Sequence, residues 1–367
     1  MIIYLDNSAT TRQYENVTNA MVDIMNNNYG NPSSLHTMGV AAERAVSEAR
    51  QRVAKQLKVP ADEVYFTSGG TEGNNLAITG VYNALRIKGE VVSTMAEHKS
   101  ISEPLKKIEN VNYLNIDSNG QISMGELESV INERTSLVSI MHVNNETGAI
   151  SPVAEIGRII KAKNPNCLFH IDAVQSYCKL DLPKTNADLI TVSAHKIHGP
   201  KGIGAIYIKK GVKVSPLIHG GGQEKNIRSG TENTAAIVGF GVATQAKADI
   251  NHIKKLNDIL RERLENVIFN CIDGSPYILN FSALGIRSEI LLHSLEQRGV
   301  MVSSGSACSS NKPSPSHVLT AMRLKKEVID SSIRISFSMQ NTVDEIIRAS
   351  EIINDVISNL RRQLGRN

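Results

Sequence analysis

The stretch Leu189-Ile190-Thr191-Val192-Ser193-Ala194-His195-Lys196-Ile197-His198-Gly199-Pro200-Lys201-Gly202 decides the fold. It begins as a run of uncharged aliphatic and β-branched residues and breaks into polar residues and a Gly/Pro turn. A strand with so little polarity is covered on both faces, as strands of parallel sheets are. Outward from it, residues 64–67, 91–94, 137–143, 168–171 and 205–208 read as further short strands. Between Gly39 and Leu57, Ala42, Val46, Ala49, Val53 and Leu57 keep one helical face. Alternation of this kind predicts an α/β fold, a mostly parallel sheet with helices on both sides, up to about residue 240.

The pattern then changes. Residues from Ala235 to about Val267 read as one or two long helices that carry the chain out of the first domain. A strand at 278–281, a helix at 290–297 and an alternating strand at 333–337 follow. A last helix starts at the capping box Thr342-Val343-Asp344-Glu345 and runs to about Leu364. Residues 311–316, rich in Pro and Ser, read as loop. A chain of 367 residues exceeds one ordinary core. Residues 1–250 are therefore assigned to a large domain and 251–367 to a smaller α+β domain.

Lys and Arg number 40 against 36 Asp and Glu, and no basic block is interleaved with aromatics. Direct nucleic-acid binding is not expected. The first residues lack the charged and apolar regions of a signal peptide, and no stretch approaches the ~20 apolar residues of a membrane span. The expectation is a cytoplasmic protein without a membrane partner. The cysteines at 167, 178, 271 and 308 form no Cys-x-x-Cys and have no His at finger spacing. Neither a disulfide framework nor a metal site is expected. Cys167, Cys178 and Cys271 read as buried or incidental thiols.

Three segments carry chemistry. Thr67-Ser68-Gly69-Gly70-Thr71-Glu72-Gly73-Asn74-Asn75 follows a strand and opens a helix, so its glycines, free N–H groups and the Thr71 hydroxyl suit a phosphate. Lys196 stands where the strand of residues 189–192 gives way to a turn. A lysine there reads either as a surface residue or as a desolvated amine able to form a Schiff base, and Ser193, His195 and a separate phosphate cradle favour the second. Asp172, at the end of His170-Ile171-Asp172-Ala173-Val174-Gln175, reads either as a helix N-cap or as the partner of a protonated ring nitrogen. Gln175 is placed to donate to a phenolic oxygen of the same ring.

These motifs join Tyr4-Leu5-Asp6-Asn7, Glu97-His98, His142-Val143-Asn144-Asn145-Glu146-Thr147-Gly148, Arg228-Ser229-Gly230-Thr231-Glu232-Asn233 and the run from Ser303 to Cys308 in one ordered set. The set resembles the cysteine desulfurases of the nitrogen-fixation and iron–sulfur-cluster type, within class V of the pyridoxal-phosphate aminotransferase superfamily. The resemblance implies a fold type I large domain that binds pyridoxal 5′-phosphate, with segment 1–14 packing on the small domain. It implies Lys196 as the Schiff-base lysine and Gly70, Thr71, Ser193 and His195 as phosphate ligands. Thr231 would reach the phosphate of the partner in a homodimer. His98 would stack on the pyridine ring and manage protons, and Asn145 and Arg334 would bind the substrate carboxylate. Read without the resemblance, Arg334 is equally an ordinary ion-pair partner.

Cys308 lies among small polar residues, Ser303-Ser304-Gly305-Ser306-Ala307-Cys308-Ser309-Ser310-Asn311, a poor setting for a buried thiol and a good one for an exposed nucleophile. The resemblance makes it the sulfur acceptor in conversion of L-cysteine to L-alanine, with a sulfur-acceptor protein of cluster assembly, thio-cofactor synthesis or tRNA thiolation downstream. Only 33 residues follow Arg334, fewer than in the family's cluster-assembly members, which use a longer tail to dock a scaffold. An aminotransferase or selenocysteine lyase on the same scaffold, and a catalytically idle sulfur relay, are the rival readings. A cysteine in such a loop argues against plain transamination, and the intact Lys196, Asp172 and Cys308 argue against an idle relay.

Overall fold

The computed structural model of the chain describes residues 2–304 and 315–365. Its strands are β1 (Ile3–Tyr4), β2 (Val64–Thr67), β3 (Glu90–Thr94), β4 (Val111–Leu114), β5 (Thr135–Met141), β6 (Leu168–Asp172), β7 (Leu189–Ser193), β8 (Gly204–Ile208), β9 (Ile268–Phe269), β10 (Ile278–Ser282), β11 (Val300–Met301), β12 (Ser303–Ser304) and β13 (Ser332–Ser336). A seven-stranded sheet runs β2-β8-β7-β6-β5-β3-β4, and within it β8 alone opposes its neighbours.

Strand β7 is buried at every residue. Its side chains alternate between two cores. Leu189 joins Leu76, Ile101 and Leu137 on one face, while Ile190 and Val192 join Val53, Phe169 and Phe240 on the other. Those cores are closed by helices, among them Thr37–Leu57 and Thr234–Ala243, as an apolar parallel strand requires. The helical stretch that opens at Gly70 is pressed directly onto β7. A Cβ on Gly73 would stand 2.6 Å from Thr191 Cγ2, so only glycine allows this approach.

A second sheet, β12-β13-β10-β9, is antiparallel throughout. Its core takes Leu279, Phe281, Ile333 and Ile335 from the strands, and Leu256, Leu291 and Ile353 from the helices Ile250–Arg263, Ser288–Gln297 and Val343–Gln363. Ile3 and Leu5 belong to this core too, because β1 pairs in parallel with β11. The capping box forms at Thr342 and Glu345, a contribution of about 1 kcal/mol.

The structure departs from the sequence reading at one boundary, the end of β5. Residues 235–267 hold two helices, Thr234–Ala243 and Ile250–Arg263, in keeping with that reading. Asp249 accepts from the N–H groups of Asn251 and His252, and this cap starts a new helix at Ile250. Strand β5 ends at Met141, short of Val143, because Asn144 Oδ1 accepts from the N–H groups of Glu146 and Thr147 and turns the chain out of the sheet.

Candidate active site

The C-terminal ends of β2, β3, β5, β6 and β7 converge on a cavity of about 450 Å³, and Arg334 and Ser303 reach it from the antiparallel sheet. Open α/β sheets place their ligands at this end. Lys196 lines the cavity with Gly70, Thr71, His98, Asn145, Asp172, Gln175, Ser193, His195 and Arg334. Nearly every candidate residue of the sequence is thus in one place.

One end of the cavity is shaped for an anion. Gly69 has φ of +153°, a conformation side chains rarely adopt, and a Cβ there would meet nothing nearer than Ser193 Oγ at 4.0 Å. Ser193 Oγ is itself buried and has no hydrogen-bond partner among the described residues. A buried hydroxyl left unpaired is destabilising, so the group is matched to a missing acceptor or donor. His195 stands beside it, its Nδ1 3.2 Å from Thr10 Oγ1. Burial, and then the charge of Lys196, bring its pKa down to about 4, so the ring is neutral near pH 7.

The middle of the cavity is a polar relay. Asp172, at the end of β6 and 5 % exposed, accepts from Val174 N (2.9 Å) and from Asn74 Nδ2 (2.8 Å). Among the described residues it has no Lys or Arg partner, and a buried carboxylate calls for a cation. Asn74 Nδ2 also donates to Ser100 Oγ, which lies 2.8 Å from His98 Nδ1. That nitrogen accepts from Ser100 N as well, so the neutral ring carries its proton on Nε2. Burial, only partly opposed by Asp172, lowers the His98 pKa and keeps the ring neutral.

Lys196 comes from the single turn Ala194–Lys196 that follows β7. Its Nζ donates to the carbonyls of Ser8 (2.6 Å) and Ala9 (2.7 Å). Gln175 Nε2 donates to the same Ser8 carbonyl at 2.9 Å. At the far end, Arg334 Nη1 donates to Asn145 O (3.0 Å) and Nη2 to Asp6 Oδ1 (2.7 Å). Arg334 Nε and Asn145 Oδ1 are buried without partners among the described residues. The arginine therefore ties both cores to the N-terminal segment and still has a donor to offer.

Two buried acids border this end. Glu97 accepts from Thr94 Oγ1 and Met141 N, and burial pushes its pKa up to about 8. Glu146 accepts from Ser316 Oγ at 2.5 Å, and burial raises its pKa also.

Thr231 does not line this cavity. It is exposed, in a neighbouring depression with Ser68, Gly202 and Arg228. Cys308 lies outside the described residues. Reading by motif missed Ser8, Asn74 and Ser100 as working parts. Asn74 could have been found, since it follows Gly70 by one helical turn and so shares its face. Nothing local marks Ser8, whose backbone carbonyl is the group that matters.

Residues 3–348 match the aminotransferase class-V family. The chain is 41 % identical to a cysteine desulfurase IscS of Methanosarcina thermophila, over 98 % of this chain and 93 % of the relative. It is 40 % identical to a cysteine desulfurase of a Nostoc species over 98 % of this chain and 94 % of that protein. Among solved structures, a NifS-like protein superposes with a TM-score of 0.91 at 37 % identity, covering 98 % of this chain and all of that one (100 %). SspA in complex with cysteine superposes with a TM-score of 0.80 at 34 % identity, over 91 % of this chain and 98 % of SspA. With its motifs gathered in one cavity and its relatives matching end to end, the chain belongs to the class-V aminotransferase family and, within it, to the cysteine desulfurases.

Proposed function

We propose that the chain converts L-cysteine to L-alanine with pyridoxal 5′-phosphate held on Lys196, and passes the sulfur on as a persulfide of Cys308. The observation that carries this reading is one cavity that brings together a Ser193 hydroxyl and a buried Asp172, which among the described residues have no partner and no cation respectively, and the Lys196 amine. A phosphate, a protonated ring nitrogen and an aldehyde answer these groups one by one. When bound, the cofactor supplies an electron sink for the charge left on substrate Cα.

The chain's own residues do the rest. Arg334 Nε and Asn145 orient the substrate carboxylate. Lys196, as a free amine during turnover, removes the Cα proton and later returns a proton to the product. His98, neutral and proton-bearing at Nε2, lines the cavity and would help hold the cofactor ring and carry a proton there. The Cys308 thiolate attacks the substrate sulfur, so a sulfur–sulfur bond forms as the Cβ–sulfur bond breaks. The carbon is reduced to a methyl group and the transferred sulfur is oxidised to the persulfide level, with no outside oxidant. Ser303, five positions before Cys308, lines the cavity, which supports delivery of that thiol to the substrate.

Purified protein given L-cysteine and a thiol reductant is expected to yield alanine and sulfide in equal amounts. Alanine without sulfide, or pyruvate in its place, contradicts the reading. Comparable or faster turnover of selenocysteine would favour the lyase alternative.

The same reading makes the enzyme a homodimer. Thr231 is exposed and outside its own chain's cavity, as a residue serving a partner's phosphate must be. Tyr29 (68 % exposed) and Leu35 (99 % exposed) add apolar surface that a partner subunit would cover. Mixing a Lys196→Ala chain with a Thr231→Glu chain is expected to restore activity that neither has alone, since one site of each mixed dimer is intact. A fully active monomer contradicts the shared site. The acceptor of the persulfide is a protein of cluster assembly, thio-cofactor synthesis or tRNA thiolation. Among the described residues no helix is long and apolar enough to cross a membrane, and Cys167, Cys178 and Cys271 are unpaired. Free thiols fit a reducing, cytoplasmic setting.

A further inference from the structure

Lys179 carries an amine that the mechanism above does not use. Its Nζ donates to Gln175 Oε1 at 3.3 Å and lies 5.7 Å from the centre of the Tyr277 ring. The Gln175 carboxamide in turn donates from Nε2 to Ser8 O, the carbonyl that also accepts from Lys196. An unbroken line of hydrogen bonds thus joins the two lysines through one carboxamide and one carbonyl.

A carboxamide has two edges, and either could face the cavity. A lysine ammonium only donates, so it accepts no contact but the oxygen edge of Gln175. The N–H edge is then turned to Ser8 and to the cavity that Gln175 lines. We propose that Lys179 is a positioning residue of the desulfurase site, fixing the Gln175 carboxamide so that its N–H edge faces the cofactor oxygen. This rests on the reading that the cavity holds pyridoxal phosphate.

The surroundings of Lys179 make the device sensitive to pH. Lys196, Arg334 and Cys178 act on it electrostatically, and Tyr14, His198 and Tyr277 share the smaller cavity that it lines with Lys196. Among the described residues no carboxylate pairs with it. Burial first, then Lys196 and Arg334, bring its pKa down to about 7. Below that pH the ammonium enforces one carboxamide orientation. Above it the neutral amine accepts as well as donates, and both orientations are allowed.

The test is titration of the full-length chain with pyridoxal phosphate, followed by visible absorbance, from pH 6 to 9. Lys179→Met is expected to bind about tenfold more weakly than wild type below pH 7, the loss of roughly one hydrogen bond, with the gap closing as pH rises. Lys179→Arg keeps its charge and is expected to hold wild-type affinity and extend it above pH 8. In a Gln175→Ala background, Lys179→Met should add nothing. Wild-type affinity in Lys179→Met, or additive losses in the double variant, overturns the proposal. If Lys179→Met does not fold, the decision falls to Lys179→Arg, where a profile no flatter than wild type overturns it. Failure of the wild-type chain to bind pyridoxal phosphate overturns the functional reading and this inference together. Unchanged binding in Lys179→Met beside a binding wild type overturns this inference alone.

Discussion

Lys196→Ala is expected to lower alanine formation from L-cysteine by at least about 10³-fold, the scale of a lost general base compounded by the lost covalent anchor. The lysine-dependent visible absorbance should vanish with it, while Thr71, Ser193 and His195 still hold a phosphate group and leave binding weaker but measurable. The fold is expected to survive, because the carbonyls of Ser8 and Ala9 that accept from Lys196 Nζ can be reached by water in the cavity instead. Loss of absorbance without loss of fold therefore separates a chemical role from a structural one. Unchanged absorbance and turnover in this variant would remove Lys196 from the mechanism.

The sequence made the parallel half legible because its signals are local. A strand covered on both faces needs an uninterrupted apolar run, and β7 with Ser193, His195 and Lys196 behind it supplies one. Asp172 and the Gly69-Gly70 turn could be placed for the same reason, since Asp172 ends β6 and the turn comes just after β2. The antiparallel half was only partly legible. Its pairing of Ser303 with Arg334 and of Asn280 with Arg334 is set by contacts between segments far apart in sequence, for which no local pattern exists. Of the two readings of Asp172, the helix N-cap does not hold, since no helix follows β6; the residue accepts from Val174 N in a turn and lines the cavity. Arg334 likewise is an ion-pair partner of Asp6 and a wall of the site at once. Ser8 and Ser100 were missed because their contacts, with Lys196 and Gln175 and with Asn74 and His98, are ones that only the fold supplies.

Cys308→Ser carries the other large effect, and it falls on a different step. Sulfide release from L-cysteine is expected to drop by about 10²-fold or more, because a hydroxyl is a far poorer sulfur nucleophile than a thiolate. Cofactor absorbance should be that of wild type, and addition of L-cysteine should still perturb it, since Lys196, Asp172 and Arg334 are untouched. The contrast with Lys196→Ala is the point. One variant loses the cofactor signal and turnover together, while the other loses sulfur transfer alone. The remaining thiols cannot substitute. Cys167 and Cys271 are buried, and burial pushes the pKa of Cys167 and Cys178 to about 12 and that of Cys271 to about 11, which leaves almost no thiolate at neutral pH.

Mass spectrometry of the wild-type protein after brief exposure to L-cysteine, without reductant, reads out directly whether Cys308 takes the substrate sulfur. One added sulfur atom is expected on the peptide that contains Cys308, removable by a thiol reductant, with alanine formed in equal amount. Added sulfur on the peptides of Cys167, Cys178 or Cys271 instead, or alanine formed with no persulfide on Cys308, would contradict it.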